Sequence, residues 1–404
     1  MNPSISRRWI FLVALLVARF LQAQAQTAPA PPPAAATVAE EPPLTPAMVS
    51  PTRGPRQELR LQNIQLHDPW ILADKERKIY YLYSSAQAGI TGLGRTGTLF
   101  YRSKDLLNWD GPYIAFIVQA ESWADPRRGA WAPEVHEFKG KFYLFTTLHN
   151  PQKVLAPTVQ GAEPKMMRST MIAVSDSPEG PFKLLKTDNP VAPENFMTLD
   201  GTLYVDPEGK PWMVYAHEWV QKMDGTFEAV PLKDDLSAAS GPPIYLFKAS
   251  DAPWINEQAT PSASESHRVT DGCEMFRTKD GRLLMLWSSY DKDGYVQTVA
   301  RSKTGNLKGP WEQLEPLVKN DTGHGMLFTT FEGQLMLVTG QPFNNQRAKI
   351  YEMEDLGDNL RVVKFREDLN GPPLGPNARQ QRGQRAGGAA TPAPAAAPAV
   401  APAN

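Results

Sequence analysis

The chain has 404 residues, of which 41% are hydrophobic and 21% are charged, and 42 basic residues nearly balance 43 acidic ones. A formal net charge of -1 creates no field that would attract nucleic acid or an anionic membrane surface. The single cysteine, Cys273, excludes an intramolecular disulfide and any metal centre built from several thiolates. Composition therefore argues against a nucleic-acid binder, a disulfide scaffold and a metallothiolate protein.

The N-terminus has the pattern of a secretory signal. Arg7 and Arg8 precede an apolar run over residues 9–17 that is too short to span a bilayer, and residues 23–25 read Ala-Gln-Ala, as expected of a cleavage site. We therefore predict a signal peptide over residues 1–25 and export to the periplasm or the extracellular space. No later stretch approaches 18 consecutive apolar residues, so we expect no membrane span after cleavage.

Two segments rich in alanine and proline flank the central region. Residues 26–55 and 371–404 have too few large apolar side chains to form a core, so we predict a disordered linker and a disordered tail. The region between them, 56–370, is long enough to bury roughly three quarters of the surface of its unfolded chain. We predict that it forms one folded domain.

Within that domain one short pattern occurs five times. Each copy begins with a polar turn, continues into an aromatic or apolar strand, passes through a tight charged hairpin and ends in a second apolar strand. The five copies start at His67, Trp131, Leu199, Thr270 and Gly323. In four of them the hairpin carries a glycine that can adopt positive φ: Gly140, Gly209, Gly281 and Gly333.

The repeat favours an all-β fold. Further strand-and-turn segments follow each hairpin, and no amphipathic helix of convincing length separates the units. Five units of this kind predict a five-bladed β-propeller. A β-sandwich is the alternative, but it would not explain five similar units.

Titratable residues recur where the copies begin. An alignment of the copies on their turns places in matching positions Asp68, Ala132-Pro133-Glu134, Asp200, Asp271 and His324. Because the innermost strands of a propeller line its channel, we expect these side chains to meet at one end of the axis. Each aspartate alone could equally be a turn cap, since Asp favours such places. Several together are what hydrolysis of a glycosidic bond requires, which depends on paired carboxyl groups.

Four segments resemble glycoside hydrolase family 43, a family of five-bladed propellers that act on arabinofuranosides and xylosides. They read HDPWI from His67, WAPEVHEFKGKFYLF from Trp131, LDGTLYVDPEGKPWMVY from Leu199 and GHGMLF from Gly323, and the resemblance covers about 60–365. It implies an inverting mechanism in which Asp68 is the general base and Asp200 orients the acid and tunes its pKa. It also implies that His324 lies in the channel, where a structural calcium ion is often bound.

The general acid is ambiguous in this sequence. The family usually has Glu followed by Gly-Pro or Ala-Pro at the head of the fourth blade, whereas this chain reads Thr-Asp-Gly-Cys-Glu from Thr270. Register on the glycine favours Asp271, and chemical identity favours Glu274. We expect the two side chains to face opposite ways in a regular strand. We also expect burial and the neighbouring Asp68 and Asp200 to raise the pKa of the acid.

The remaining predictions concern the ligand. Trp70, Trp131 and Trp219 are candidate platforms for sugar rings, although each could instead pack between blades, and His324 is a candidate substrate or metal ligand. The substrate predicted is an oligo- or polysaccharide of plant type, with α-L-arabinofuranose removed and no cofactor required for the chemistry. The alternatives are a β-xylosidase, a galactose-specific glycosidase and a propeller that binds carbohydrate without cleaving it.

Overall fold

A computed structural model describes residues 59–155, 165–259 and 266–371. The predicted signal peptide, the whole of the predicted linker and almost all of the predicted tail lie outside these residues. Within them the strands form five four-stranded antiparallel sheets, each built from strands that are consecutive in the sequence, and one two-stranded sheet. The chain is a five-bladed β-propeller, which confirms the fold predicted from the repeat.

We number the blades I to V and the strands β1 to β22 in chain order. The strands of blade I are β1 Trp70–Asp74, β2 Ile79–Ala86, β3 Gly97–Ser103 and β4 Asp110–Ile117. Those of blade II are β5 Gly129–Phe138, β6 Lys141–Leu155, β7 Lys165–Ser175 and β8 Lys183–Leu184. Those of blade III are β9 Thr198–Val205, β10 Pro211–His217, β11 Thr226–Pro231 and β12 Ile244–Lys248.

The separate two-stranded sheet, β13 Gln258–Ala259 and β14 Ser266–His267, follows blade III. The strands of blade IV are β15 Asp271–Arg277, β16 Leu283–Asp291, β17 Gly294–Ser302 and β18 Trp311–Gln313. Those of blade V are β19 Gly323–Thr329, β20 Leu335–Gln341, β21 Arg347–Asp355 and β22 Leu360–Phe365.

The helices among the described residues are short. They are α1 Ala88–Thr91, α2 Trp219–Lys222 and α3 Glu367–Asn370, with 3-10 turns at Leu61–Asn63 and Ala249–Asp251. None of these helices has the length and the apolar character needed to cross a membrane.

The four predicted hairpin glycines explain how the first two strands of blades II to V turn back on each other. Each of them has positive φ, between 76° and 89°. Glycine adopts this conformation without the steric cost that a Cβ atom would bring. The hairpin prediction is therefore confirmed.

The first strands of neighbouring blades touch in turn, from β1 through β5, β9 and β15 to β19, and β19 touches β1 again. Each blade consists only of strands that are consecutive in the sequence. The ring is therefore closed by contacts between blade V and the start of blade I. There the backbone N–H of Leu66 donates to the carbonyl of Gln346 at 3.2 Å. Phe331 likewise donates to the hydroxyl of Tyr80 at 3.0 Å.

Large apolar side chains fill the space between the blades. Between blades III and IV, for example, the rings of Phe227, Phe247 and Trp287 lie within 5.1–5.7 Å of one another. All three side chains are fully buried. Packing of this kind holds the blades rigidly, and the site described below depends on that rigidity because its residues come from four different blades.

Candidate active site

An extra residue interrupts the first strand near its start in blades II to V. In blade IV, Asp271 pairs with Ser288 and Glu274 pairs with Leu286, so three steps along one strand oppose two along the other. Such β-bulges re-aim side chains and are common beside active sites. At this point every blade has a residue with φ between 43° and 53°. These five residues are Asp68, Ala132, Asp200, Gly272 and His324.

This register differs by one residue from the alignment of the sequence repeats. In blade IV it is Gly272, and not Asp271, that is equivalent to Asp68 and Asp200. Asp271 stands one position earlier, where blade II has Trp131. The bulge also overturns the expectation that Asp271 and Glu274 face opposite ways, because the residues that they oppose are two apart and so point to the same side of the sheet.

Side chains at neighbouring blades fix the strained turns. The N–H of Asp68 donates to Gln346 Oε1 at 3.1 Å, and that of Asp200 donates to Thr147 Oγ1 at 3.1 Å. In the same way His324 donates to Ser288 Oγ at 2.7 Å. Positive φ is costly for residues other than glycine and persists only where surrounding contacts hold it. These bonds supply such contacts.

The turns bring three carboxylates from blades I, III and IV around one imidazole from blade V. His324 Nδ1 lies 3.3 Å from Asp68 Oδ1, 3.5 Å from Asp271 Oδ1 and 3.9 Å from Asp200 Oδ2. We call these four residues the mouth cluster. The structure therefore brings together Asp68, Asp200, Asp271 and His324, all of which the sequence analysis selected.

The mouth cluster is held together by opposite charges. Burial alone would lower the pKa of His324, but the three carboxylates raise it well above its usual value, so the imidazole is protonated. Burial raises the pKa of Asp68, and Asp271 adds to this rise while His324 opposes it. Asp68 is thus a better proton acceptor than an ordinary aspartate.

The pKa values of Asp200 and Asp271 move in opposite directions. Burial raises the pKa of Asp200 well above its usual value. Burial acts in the same direction on Asp271, but hydrogen bonds with His324, Asp200 and Tyr295 outweigh it and lower the pKa of Asp271 to about 2. Two carboxyl groups this close share one proton. The raised pKa that we expected for Asp271 is therefore found on its neighbour.

Exposure separates the members of the mouth cluster. The side chains of Asp68 and Asp271 are 22% and 17% exposed, whereas those of Asp200 and His324 are 5% and 10% exposed. Two carboxylates are therefore open to a ligand, while the other two groups lie mostly beneath them. Asp68 Oδ1 and Asp271 Oδ1 lie 3.3 and 3.5 Å from the same nitrogen, so these two atoms are at most about 6.8 Å apart, a limit that reaches the lower end of the roughly 6.5–9.5 Å used in inverting hydrolysis.

Glu274 lies farther along β15, and its carboxyl group is hydrogen-bonded outside the mouth cluster. Its Oε2 accepts the N–H of Leu327 at 2.7 Å. It shares a narrow space in the channel with Glu134, which bonds His136 Nε2 at 2.9 Å. Burial raises the pKa of Glu274 well above its usual value and that of Glu134 to about 8. We call Glu134 and Glu274 the inner pair, and in both of them burial favours the uncharged carboxyl group.

The three tryptophans proposed as sugar platforms have different surroundings. Trp70 is buried, and its ring lies 4.7 Å from that of His136 within the channel wall. Trp219 begins α2 and packs partly buried against the core between blades III and IV. Trp131 is 43% exposed and lies beside the guanidinium of Arg168. Of the three, Trp131 is the most exposed.

Sequence reasoning did not find the side chains that hold the mouth cluster. Ser288 receives the N–H of His324, and Gln297 receives that of Gly325 at 2.6 Å. Tyr295 donates its hydroxyl to Asp271 Oδ2 at 2.6 Å. A signal was present for part of this set, because small hydroxyl-bearing residues follow the apolar run of several second strands, as at Thr147 and Ser288.

The mouth cluster contains donor atoms that could contact the calcium ion implied by the resemblance. One ligand atom from each of Asp200, Asp271 and His324 lies within 4.8 Å of the others. Calcium takes about six to eight oxygen ligands. This set offers only two carboxylates and one imidazole nitrogen. The residues present do not by themselves form a calcium site, and no step below depends on one.

Comparison with known proteins agrees with the fold and identifies the family. The sequence profile of glycosyl hydrolases family 43 matches residues 61–355. The chain therefore belongs to glycosyl hydrolases family 43, a family of glycoside hydrolases whose substrates are carbohydrates.

Relatives of known description include a curated protein and solved structures. An extracellular exo-α-(1→5)-L-arabinofuranosidase, ArbA, of Cellvibrio japonicus (strain Ueda107) is 25% identical over 186 residues, which is 45% of this chain and 47% of that protein. The chain thus matches about half the length of this relative. An endo-arabinase from Bacteroides thetaiotaomicron VPI-5482 is 34% identical, with a TM-score of 0.63 over 77% of this chain and 98% of the other.

An endo-1,4-β-xylanase from Bacteroides thetaiotaomicron VPI-5482 has the same fold, with a TM-score of 0.57 and 19% identity. The alignment covers 76% of this chain and 97% of the other. Identity this low indicates the shared architecture and carries nothing about the substrate.

Proposed function

We propose that this protein hydrolyses α-L-arabinofuranosyl linkages in oligo- or polysaccharides with inversion at the anomeric carbon. The observation that carries the proposal is the mouth cluster, in which two partly exposed carboxylates, Asp68 and Asp271, lie beside the more deeply buried Asp200 and His324. The choice of arabinofuranose is supported by the two relatives described as an arabinofuranosidase and an endo-arabinase.

The proposed reaction is a single displacement. Asp271 gives a proton to the glycosidic oxygen as the bond between that oxygen and the anomeric carbon breaks. A water molecule attacks the anomeric carbon from the opposite face and gives its proton to Asp68. The raised pKa of Asp68 suits it to this role as base.

Asp200 acts through Asp271. It is hydrogen-bonded to Asp271, its Oδ2 accepts the N–H of Gly272 at 3.0 Å, and its raised pKa keeps a proton on the pair. We propose that Asp200 passes this proton to Asp271 as Asp271 protonates the leaving oxygen. Solvent then returns a proton to Asp200 and removes one from Asp68, which restores the site.

A second candidate function is carbohydrate binding without cleavage. The observation that favours it is the pKa of Asp271, lowered to about 2, since an acid needs a proton to give. In the proposed reaction Asp200 holds the shared proton and passes it to Asp271, so Asp271 can act as the acid despite its own low pKa. The two functions differ in whether product is released.

The test is hydrolysis by the purified mature chain of arabinose- and xylose-bearing oligosaccharides and of matching aryl glycosides, with the product anomer followed by NMR. We expect release of arabinose or arabino-oligosaccharides, with the inverted anomer formed first. Retention of configuration would contradict the roles of Asp68 and Asp271. Binding of the oligosaccharides without any release of product would establish the second candidate instead.

We also propose that the chain is exported, on the basis of the predicted signal peptide and of the extracellular description of the curated relative. N-terminal sequencing of the protein recovered outside the cytoplasm is expected to begin at or near residue 26. Recovery of the intact N-terminus from the cytoplasm would contradict export.

A further inference from the structure

An aromatic group lies beside Asp271 on blade IV, and its centre is Tyr295 of β17. The Tyr295 side chain is fully buried, and its hydroxyl donates to Asp271 Oδ2 at 2.6 Å. Its ring packs against the backbone of Gly323, where a Cβ atom would lie only 2.3 Å from a ring carbon. Gly323 thus leaves the space that the ring fills. The hydroxyl position is therefore set by packing and not by the hydrogen bond alone.

The mouth cluster holds the other oxygen of the same carboxylate. Asp271 Oδ1 lies 3.5 Å from His324 Nδ1. With both oxygens engaged, the Asp271 side chain is restricted to one orientation. Such restriction matters for a general acid, because proton transfer depends on hydrogen-bond reach, and small displacements are costly.

Three further rings, more open to solvent, continue outward from Tyr295. Tyr290 and Phe343 are partly exposed, and their ring centroids lie 5.0 and 5.1 Å from that of Tyr295. His67, exposed and next in sequence to Asp68, lies 6.4 Å from Phe343. We call Tyr290, Phe343 and His67 the aromatic patch. The patch therefore extends from His67, which is next to the proposed base, to Tyr295, which holds the proposed acid.

This placement fits one part of a glycoside. The oxygen that Asp271 protonates stays with the released side of the substrate, so the released sugar has to lie within hydrogen-bond reach of Asp271. Aromatic rings are common in small-molecule sites because they bury a large area of ligand with little loss of side-chain freedom. The partly exposed rings of the patch are close enough to Asp271, through Tyr295, to contact that sugar.

We propose that the aromatic patch is the subsite for the released sugar, and that Tyr295 is a positioning residue that holds Asp271 toward it. This inference rests on the proposed function. It also gives a reason why an aspartate, one methylene shorter than glutamate, can serve as the acid here: the shorter side chain is fixed at both oxygens, and the leaving group is placed against it.

The experiment compares three glycosides that share the sugar hydrolysed by the wild type. The leaving group of the 4-nitrophenyl glycoside departs with little protonation. The leaving group of the methyl glycoside requires protonation but contains no ring. The leaving sugar of the disaccharide requires protonation and also contains a ring that the aromatic patch could contact. The variants are Tyr295→Phe, Phe343→Ala and Tyr290→Ala. The matched control is Phe365→Ala, which removes an aromatic ring paired with Tyr351 on the outer part of blade V.

For Tyr295→Phe we expect kcat to fall about tenfold to a hundredfold on the methyl glycoside and the disaccharide, with a smaller loss on the nitrophenyl glycoside. KM should change little. For Phe343→Ala and Tyr290→Ala we expect KM to rise several-fold on the disaccharide and to stay the same on the methyl glycoside. Phe365→Ala should leave both constants unchanged, and thermal unfolding should show that each variant is folded.

Two results overturn the inference while leaving the proposed function intact. One is an equal loss of kcat on all three substrates in Tyr295→Phe. The other is a KM for the disaccharide in both patch variants that equals that of Phe365→Ala. A wild-type protein that hydrolyses none of the glycosides refutes the proposed function, and the inference with it.

Discussion

The channel contains two groups of carboxylates that differ in their partners. The mouth cluster places Asp68, Asp200 and Asp271 around the protonated His324. The inner pair, Glu134 and Glu274, is hydrogen-bonded to a neutral imidazole and to a backbone N–H, and the charge of His324 lowers the pKa of Glu134 by less than burial raises it. Burial therefore raises the pKa of both members of the inner pair, whereas at Asp271 hydrogen bonds and the charge of His324 outweigh burial and lower the pKa.

This difference teaches that burial and like-charged neighbours do not by themselves make a catalytic acid and base. The inner pair has both features, yet burial raises the pKa of both members, and a pKa of about 8 leaves Glu134 protonated and unable to accept a proton from water at pH 7. In the mouth cluster the charge of His324 allows ionised and protonated carboxyl groups to coexist. Substitutions that remove charge without changing shape can test this comparison directly.

The largest effect is expected from Asp68→Asn. An amide cannot accept the proton of the attacking water, so kcat should fall by about 10²–10⁴-fold. The matched control is Glu134→Gln, which replaces a neutral carboxyl group by a neutral amide and should change kcat by less than about threefold. Steady-state kinetics on one substrate decides the matter. Equal losses in the two variants would show that the mouth cluster has no special role as base.

The second comparison concerns the acid. Asp271→Asn should lower kcat by about 10²-fold or more on substrates whose leaving group needs a proton, and less on nitrophenyl glycosides. Glu274→Gln should have little effect, because burial raises the pKa of Glu274 and so favours its uncharged form, and the amide oxygen can still accept the N–H of Leu327. If Glu274→Gln loses activity while Asp271→Asn keeps it, then Glu274 is the acid and Asp271 is not.

The sequence predicted the blades better than it predicted this division of roles. Five repeats and the hairpin glycines, such as Gly140 and Gly281, depend on local turn chemistry, which is visible in a few consecutive residues. The one-residue offset at Asp271 was not visible, because a bulge changes the count of residues between strand positions without leaving a distinctive residue type. Likewise the lowered pKa of Asp271 depends on Tyr295 and His324, which are brought close only by the closed ring.

A smaller effect is expected in the pH dependence of stability. The pKa of Glu134 is raised to about 8 in the folded protein, above its unfolded value, so the unfolded chain releases this proton first as pH rises. The free energy of unfolding should therefore decrease between about pH 4.5 and pH 8, by on the order of a few kcal/mol from this group, and then level off. In Glu134→Gln this part of the decrease should disappear, as measured by chemical denaturation at several pH values. A variant with the same pH profile as the wild type would show that Glu134 is not the source.

The smallest effect is expected from removal of metal ions. In the mouth cluster the protonated His324 already supplies the positive charge that the three carboxylates require, and the described donor atoms are too few for a calcium cage. Chelation followed by dialysis should therefore leave kcat unchanged and shift the melting temperature by less than about 2 °C, equivalent to less than about 1 kcal/mol. The matched control is a His324→Gln variant, which removes this charge and should lose activity whether or not calcium is supplied. Activity lost on chelation and restored by calcium alone would show that a metal ion, and not the imidazolium, balances the mouth cluster.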